Sequence, residues 1–242
     1  MKHILVLGAT SAMAQSLCKL YAVSGSHFYL LGRNEQRLNI VAADLLVHGA
    51  QAVEVRVVDS FPQLKAAAEE ACQQADGLDL FLAAQGSLPS QEIVEKSGES
   101  VSELFHANAV QIMDACLCVA SFFEAQGHGT CVVIGSVAGD RGRRSNYLYG
   151  ASKAALEVFC DGLRQRLEPN CSLVFIKPGP VDTPMTSHLK KGALFSTSEK
   201  VAKDILSGIE RGSAVVYTPS YWKWIMLVIK LLPDSVVKRL RA

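Results

Sequence analysis

The residues best suited to chemistry are Tyr149 and Lys153, which stand four positions apart in the run YGASK. On a helix these side chains share one face, with β-carbons roughly 5–6 Å apart. An unperturbed phenol has a pKa near ~10, and a nearby cation favours its ionised form. The pair therefore predicts a proton-transfer group that works near neutral pH. Because this spacing also occurs in ordinary helices, the prediction depends on the rest of the sequence.

The elements that must position this pair alternate along the chain. Strands with helical segments between them predict an α/β fold: a doubly wound parallel sheet of about seven strands with helices on both faces, of the Rossmann type. Ligands of such sheets bind at the carboxyl ends of the strands. The apolar runs predicted as strands are residues 4–7, 28–31, 53–58, 78–82, 131–134, 173–176 and 214–217, and helical periodicity covers residues 14–24, 35–48, 63–74, 101–126 and 149–167.

Length and composition indicate one large folded domain. The chain has 242 residues, of which 49% are hydrophobic and 19% charged, and this argues against disorder. A formal net charge of +1 gives no reason to expect nucleic acid. Seven cysteines without a CxxC pair predict core thiols of a reduced, cytoplasmic protein, with no disulfide framework and no metal site. No run reaches the ~18 apolar residues expected of a membrane-spanning helix.

A turn of small residues follows the first strand and suits a phosphate group. Such a turn lets backbone amides approach a pyrophosphate at the positive end of the next helix. Arg33 follows the second strand, where an acidic residue would favour NAD, and its planar guanidinium suits the 2′-phosphate of NADP. NADP(H) is therefore favoured, and NAD(H) stays open. The residues of the first turn that enter this prediction are Gly8, Thr10, Ser11, Ala12 and Met13.

Asn108, Ser136, Tyr149 and Lys153 match, in order and spacing, the catalytic tetrad of the short-chain dehydrogenase/reductase family. The chain resembles this family over nearly its whole length. The resemblance implies that Tyr149 donates a proton to a carbonyl that receives hydride from the nicotinamide, while Ser136 holds the carbonyl oxygen. It also implies that Lys153 binds the nicotinamide ribose and biases the ionisation of Tyr149, and that Asn108 holds a relay water.

The same resemblance extends to the cofactor residues, with departures. The family usually has three glycines in the first turn, whereas this chain keeps Gly8 and has alanine at the other two places. Asp59 resembles the aspartate that meets the adenine, and an ordinary cap residue is the alternative. The segment PGPVDT after the sixth strand resembles the one that holds the nicotinamide. Further cofactor residues implied are Ala84, Gly86, Tyr149, Lys153, Pro178, Val181 and Thr183.

Two basic segments flank the predicted site. Arg141, Arg143 and Arg144 lie between Ser136 and Tyr149, and the pair Lys190 and Lys191 lies in residues 184–198, where the family has a substrate lid. We interpret these five cations as receiving a phosphate-bearing substrate. Solvated surface or a subunit contact is the alternative.

The tail, residues 219–242, combines tryptophan, lysine and apolar residues and ends in Lys238, Arg239 and Arg241. This composition suits a helix lying in a membrane interface. Packing on the protein body or on a second subunit is the alternative. With the basic loop, the tail resembles a subgroup that includes reductases assigned to decaprenylphosphoryl-2-keto-ribose.

Together these features predict an NADP(H)-dependent reductase formed by a catalytic domain of residues 1–218 followed by the tail. Its predicted substrate is a small-molecule ketone, phosphorylated or lipid-linked. A soluble ketone or 3-oxoacyl reductase and a non-catalytic NADP(H) sensor are the alternatives. The resemblance implies a homodimer or homotetramer built on the helices at 101–126 and 149–167. We expect a cytoplasmic protein that meets no nucleic acid and whose tail can meet the inner face of the membrane.

Overall fold

Seven parallel strands form one sheet in the order β3-β2-β1-β4-β5-β6-β7. The computed structural model describes residues 1–74, 77–97 and 101–237. The predicted seven-stranded parallel sheet is confirmed, and each strand end lies within two residues of its predicted position. The strands are β1 (His3–Leu7), β2 (His27–Gly32), β3 (Ala52–Val57), β4 (Leu80–Ala83), β5 (Gly129–Ile134), β6 (Cys171–Pro178) and β7 (Val215–Thr218).

Helices cover both faces of the sheet because the strand residues on both faces are apolar. In β1, Leu5 and Leu7 belong to one buried cluster, and Ile4 and Val6 belong to the other. The first cluster contains α3 (Phe61–Gln74), α6 (Gln111–Gln126) and α7 (Tyr147–Arg166). The second contains α1 (Ala12–Ala22), α2 (Glu35–Val47) and α8 (Ser198–Glu210).

The helical segment predicted at 101–126 is interrupted. It consists of α5 (Val101–Phe105), a π-helical turn at His106–Val110 and α6. Single π-turns inside helices occur frequently at functional sites. The sequence analysis did not predict α4 (Gln91–Ser97) or α8, which begins where the Thr197 hydroxyl oxygen accepts a hydrogen bond from the Lys200 backbone N–H.

By length and composition, the segment Val101–Gln126 is apolar enough to span a membrane, in contrast to the expectation that no segment would be. Core helices of folded domains pass the same test. Here one side of the segment, including Ile112, Cys116 and Val119, is fully buried against the sheet. The apolar character of this helix is therefore explained by its position in the core.

The tail forms two helices, α9 (Tyr221–Leu231) and α10 (Asp234–Val237). One side of α9 packs on the body of the protein, where Trp222 and Met226 form a small buried cluster with Val137. The basic end with Lys238, Arg239 and Arg241 lies outside the described residues.

Candidate active site

The structure brings Tyr149, Lys153 and Ser136 together. Tyr149 and Lys153 lie in the first two turns of α7, and the Lys153 Nζ atom is 6.0 Å from the centre of the Tyr149 ring. Ser136 follows β5 and caps a 3₁₀ turn at Val137–Gly139, where its Oγ accepts a hydrogen bond of 3.1 Å from the Ala138 N–H. The Ser136 hydroxyl lies close enough to the Tyr149 phenol to act on its pKa as a hydrogen-bond donor.

The pKa of Tyr149 differs from the expectation that Lys153 would lower it. Burial raises the pKa of Tyr149, and the hydrogen bond with Ser136 opposes that rise only in part. Lys153 is buried too, and its ammonium donates to the Ile134 carbonyl at 3.1 Å. Burial lowers the pKa of Lys153 to about 8. The expected lowering was wrong because loss of water, which disfavours the ionised phenol, outweighs the opposing effect of Ser136.

Asn108 lies in the π-helical turn and is fully buried. Its Oδ1 accepts from the Ser87 N–H at 2.7 Å, and its Nδ2 donates to the Ser87 carbonyl at 2.9 Å. A methyl group built on Gly86 would lie 3.1 Å from the Asn108 Oδ1 and 3.7 Å from the Lys153 Nζ. The turn therefore places Asn108 beside Lys153 and fixes the loop after β4. The role of Ser87 was not predictable from its residue type, because its backbone groups form the contact.

The predicted cofactor residues lie at the carboxyl ends of adjacent strands, as parallel topology requires. In sheet order these are Asp59 after β3, Arg33 after β2, Gly8 after β1 and Ala84 after β4, followed by Ser136 after β5. Gly8 has a φ of 79°, and a Cβ there would lie 2.6 Å from the Gln85 backbone nitrogen. Only glycine fits this position, which explains why it is the one glycine kept in the turn.

The first turn of α1 offers free donors. Ser11 caps the helix without a side-chain hydrogen bond. Within the described residues, the backbone N–H groups of Ala12, Met13 and Ala14 have no protein acceptor. Donors of this kind at a helix N-terminus suit an anionic group. Thr10 contributes its carbonyl to the Gln15 side chain at 3.0 Å, which holds the turn in place.

Arg33 and Asp59 are both exposed beside this turn. Asn34 uses its side chain to cap α2, so the side chain of Arg33 is left to face the solvent. The Asp59 backbone N–H donates to the Gln63 side chain at 2.9 Å, which is consistent with the cap-like role considered as its alternative.

The segment after β6 forms a compact turn. Thr186 donates its hydroxyl to the Val181 carbonyl at 2.5 Å, and its Oγ1 is 3.4 Å from the Thr183 Oγ1. Pro178 is buried at the end of β6. The region predicted as a lid begins with a 3₁₀ turn at Pro184–Thr186 and continues as a mainly exposed loop. Its end is anchored, since buried Ser196 donates to the Pro180 carbonyl and accepts from the Asp182 N–H.

Trp222 connects the tail to this site. A Cβ built on Gly179 would lie 1.9 Å from the Trp222 Nε1, so the indole packs directly on the turn between Pro178 and Pro180. Packing of the tail on the protein body was the alternative considered from the sequence, but Trp222 was not singled out there. Its position depends on a contact between distant segments.

Several cations of the basic segments are already engaged within the chain. Arg141 donates to the Lys230 carbonyl at 2.9 Å and pairs with Asp234, and Arg143 contacts the Met226 sulfur at 3.3 Å. Lys191 pairs with Asp182 at 2.8 Å. Three of the five cations therefore have partners within the chain, and the interpretation of the five as substrate ligands stays a prediction.

A buried ionic cluster lies behind the Ser136 loop. Lys177 in β6 pairs with Asp140 and with Glu157, and its Nζ lies 5.2 Å from the centre of the Tyr217 ring. Burial by itself would lower the pKa of Lys177, but the hydrogen bonds from Lys177 to the two carboxylates raise it. The sequence analysis missed this cluster. A lone lysine inside an apolar strand was the available signal, because buried cations require partners.

A separate groove of about 540 Å³ lies between α3 and α6, and no tetrad residue lines it. All seven cysteines carry free thiols, and five of them are buried. Among the described residues there is no cluster of potential metal ligands.

The known proteins that this chain is similar to in sequence are named as dehydrogenases or oxidoreductases. The sequence model for short chain dehydrogenases matches residues 2–193. An uncharacterized oxidoreductase of Streptomyces coelicolor is 30% identical over 241 residues, which is 99% of this chain and 96% of that protein. An 11-beta-hydroxysteroid dehydrogenase-like protein of Arabidopsis thaliana is 30% identical over 97% of this chain and 79% of its own length.

Solved structures share the fold at lower sequence identity. A short chain dehydrogenase from Burkholderia cenocepacia in complex with NADP superimposes with a TM-score of 0.83, at 19% identity over 100% of both chains. One from Sphingobium yanoikuyae in complex with NADPH gives a TM-score of 0.82, at 23% identity, covering 100% of this chain and 97% of the other.

Proposed function

Because the chain belongs to the short-chain dehydrogenase family, we propose that it is an NADP(H)-dependent oxidoreductase that reduces a ketone to a secondary alcohol. The observation that carries this proposal is the arrangement of Tyr149, Ser136 and Lys153 at one edge of the sheet. A proton donor, an oxygen ligand and a buried cation meet there beside free backbone donors. That combination suits reduction of a carbonyl group.

The residues at the sheet edge fit a dinucleotide. The free amides of the first turn of α1 suit a pyrophosphate, and the exposed Arg33 guanidinium suits a 2′-phosphate. Asp59 is assigned to the adenine end, and Gly86, Val181 and Thr183 to the nicotinamide end. The structural neighbours in complex with NADP and NADPH support the same preference, with NAD(H) as the alternative. When bound, the reduced nicotinamide supplies the hydride.

The side chains of the tetrad move and hold the proton. Because burial raises its pKa, Tyr149 keeps its proton at neutral pH and donates it to the carbonyl oxygen as negative charge develops there. Ser136, which lies beside Tyr149, holds the same oxygen. Lys153 has a pKa of about 8 and lies, with Asn108, beside Gly86. These two residues form the inner end of the route by which a new proton reaches Tyr149.

The substrate class we favour is a keto-sugar or another ketone carried on a phosphate or lipid phosphate, as in the subgroup of decaprenylphosphoryl-2-keto-ribose reductases. Arg144 and Lys190 are exposed and, in the described part of the chain, donate no hydrogen bond to another residue. Because the other basic residues are engaged, a soluble ketone or 3-oxoacyl group is the second candidate. A non-catalytic NADP(H) sensor is the candidate from a different class.

A panel of ketones tests the proposal, assayed by consumption of NADPH and of NADH. We expect turnover with NADPH above that with NADH and the highest kcat/KM for phosphorylated keto-sugars. Reversing the charge of Arg144 and Lys190 (R144E with K190E) should raise the KM for these substrates roughly tenfold, the effect of losing a charge-assisted hydrogen bond. The matched control is Lys203→Glu, another exposed lysine. An unchanged KM would favour the unphosphorylated ketone.

We also propose a domain layout, a substrate lid, an oligomer and a cellular location for the protein. Residues 1–218 form the catalytic domain, and residues 184–198 close over the substrate as a lid. Subunits pair through α6 and α7 into a dimer or tetramer. The reaction takes place in the cytoplasm.

A further inference from the structure

The helix α9 has two apolar faces, and the protein uses one of them. The inner face, with Trp222, Met226 and Ile229, packs against Val137 and the turn at Gly179. This packing explains the apolar residues of the inner face but not those of the outer face.

Among the residues that the structure describes, none makes a contact with the outer face that explains its apolar composition. Trp224, Leu227, Val228 and Leu231 are spaced i, i+3, i+4 and i+7, and they therefore form one stripe along the helix. All four are exposed, Trp224 at 65% and Leu231 at 76%. A contiguous apolar stripe around an exposed tryptophan indicates an interaction surface.

The charged residues of the helix itself all have one sign. Lys223 and Lys230 stand seven positions apart, on one flank of the stripe, and the Lys223 Nζ lies 5.9 Å from the centre of the Trp224 ring. The helix Tyr221–Leu231 contains no acidic residue. Tryptophan with flanking lysines is the pattern of helices that lie at the level of lipid headgroups.

The orientation of the helix is fixed relative to the active site. Arg141 donates hydrogen bonds to the carbonyls at the end of α9 and pairs with Asp234. Trp222 rests on Gly179, in the turn that follows β6. The loop after Ser136 and the turn after β6 therefore hold α9 so that its outer face points away from the protein.

We propose that the outer face of α9 docks on an anionic lipid surface. Its apolar stripe enters the headgroup region, and Lys223 and Lys230 contact the lipid phosphates. A second copy of the chain fits less well, because a two-fold contact through this face would bring four lysines together without a carboxylate on either helix. Docking of this kind does not depend on which ketone is reduced.

Sedimentation of the full chain with vesicles tests the docking. We expect binding to vesicles of phosphatidylglycerol and phosphatidylcholine, weakening as salt is raised, and little binding to phosphatidylcholine alone. Lys223→Glu with Lys230→Glu should weaken binding about 30-fold or more, at ~1 kcal/mol for each basic residue lost. Trp224→Ser with Leu231→Ser should weaken it at least about tenfold.

The controls are Lys203→Glu in α8 and Ile40→Ser in α2, which change an exposed lysine and an apolar residue with 64% exposure elsewhere. NADPH affinity, measured on every variant, checks the fold and does not depend on vesicles. Vesicle binding that is absent, or equal in all variants, would overturn the proposal. A native mass that falls in Trp224→Ser without vesicle binding would identify a second copy as the occupant instead.

Discussion

At the scale of single residues, burial controls the chemistry of the site. The Tyr149 phenol is neutral at pH 7 because burial raises its pKa. The Lys153 ammonium releases its proton more readily than an exposed lysine, because burial lowers its pKa to about 8. A neutral acid next to a cation that readily releases a proton suits the direction of reduction. The hydrogen bond from Lys153 to the Ile134 carbonyl keeps the amine oriented.

The lowered pKa of Lys153 predicts a pH-dependent stability. Between about pH 8 and the ordinary lysine value of ~10.4, the unfolded chain holds a proton that the folded chain has released. The free energy of unfolding should therefore rise with pH in this window, by on the order of 2 kcal/mol. The measurement is urea denaturation of the natural protein and of Lys153→Met at pH 7, 8.5 and 10.

The difference in unfolding free energy between the two proteins isolates this residue from other titrating groups. We expect the natural protein to become more stable relative to Lys153→Met as the pH rises from 8 to 10. A difference that stays constant over this range would show that Lys153 has an ordinary pKa in the folded state.

Residue types and spacing predicted which side chains meet, but not how strongly they bind protons. The i, i+4 rule placed Tyr149 and Lys153 on one face, and they lie there. The pKa directions and the pairing of Arg141 with Asp234 depend on burial and on contacts between distant segments. A single sequence does not show either.

At the scale of elements, the tail and the turn after β6 act as one unit. The Trp222 indole fills the space beside Gly179, and Arg141 and Arg143 contact α9 at the Lys230 carbonyl and the Met226 sulfur. The turn after β6 is also the segment that we assign to the nicotinamide. The packing of this unit should therefore affect both stability and cofactor binding.

Gly179→Ala should destabilise the protein by about 1–3 kcal/mol, the usual cost of overpacking. Its Cβ would meet a rigid indole at 1.9 Å. Thermal denaturation measures the effect. The matched control is Gly162→Ala in α7, where nothing lies within 4 Å and alanine should be neutral or stabilising.

A second variant links the cost to Trp222. Combining Gly179→Ala with Trp222→Val should cost clearly less than the sum of the two single changes, since the smaller side chain leaves room for the new methyl group. Additive losses would mean that the indole is not what meets the methyl group.

Strands were predictable because the sheet is apolar on both faces, so each strand appears as a continuous apolar run. The π-helical turn at His106–Val110 was not, because its residues fit an ordinary helix and only the contact of Asn108 with Ser87 explains it. The helix α8 was missed although its inner residues, such as Val201 and Ile205, follow helical spacing.

At the scale of the whole molecule, the strand order places the candidate residues in one line along the sheet edge, from Asp59 after β3 to Pro178 at the end of β6. This line is what allows one extended ligand to contact residues that are far apart in sequence. The two long helices beyond it, α6 and α7, retain exposed apolar residues such as Leu117 and Val158.

We predict that α7 contributes to subunit pairing. Val158 is 72% exposed in the middle of this helix, and a lysine there would place a charge inside the contact. Val158→Lys should therefore reduce the native mass, measured by light scattering, from a dimer or tetramer towards the monomer. Ile40→Lys on α2 is the control and should leave the mass unchanged. A natural protein that is monomeric would contradict this prediction.

The central claim is that Tyr149 protonates a ketone while a bound nicotinamide reduces it, and single-turnover oxidation of NADPH by Tyr149→Phe tests it most directly. The substrate is the best ketone of the panel, and NADPH affinity is measured separately by fluorescence titration. The account predicts that the rate falls by about 10²–10⁴-fold, the usual contribution of a general acid, while NADPH affinity stays within about twofold. Oxidation at an equal rate in both proteins, with NADPH bound equally well, would contradict it.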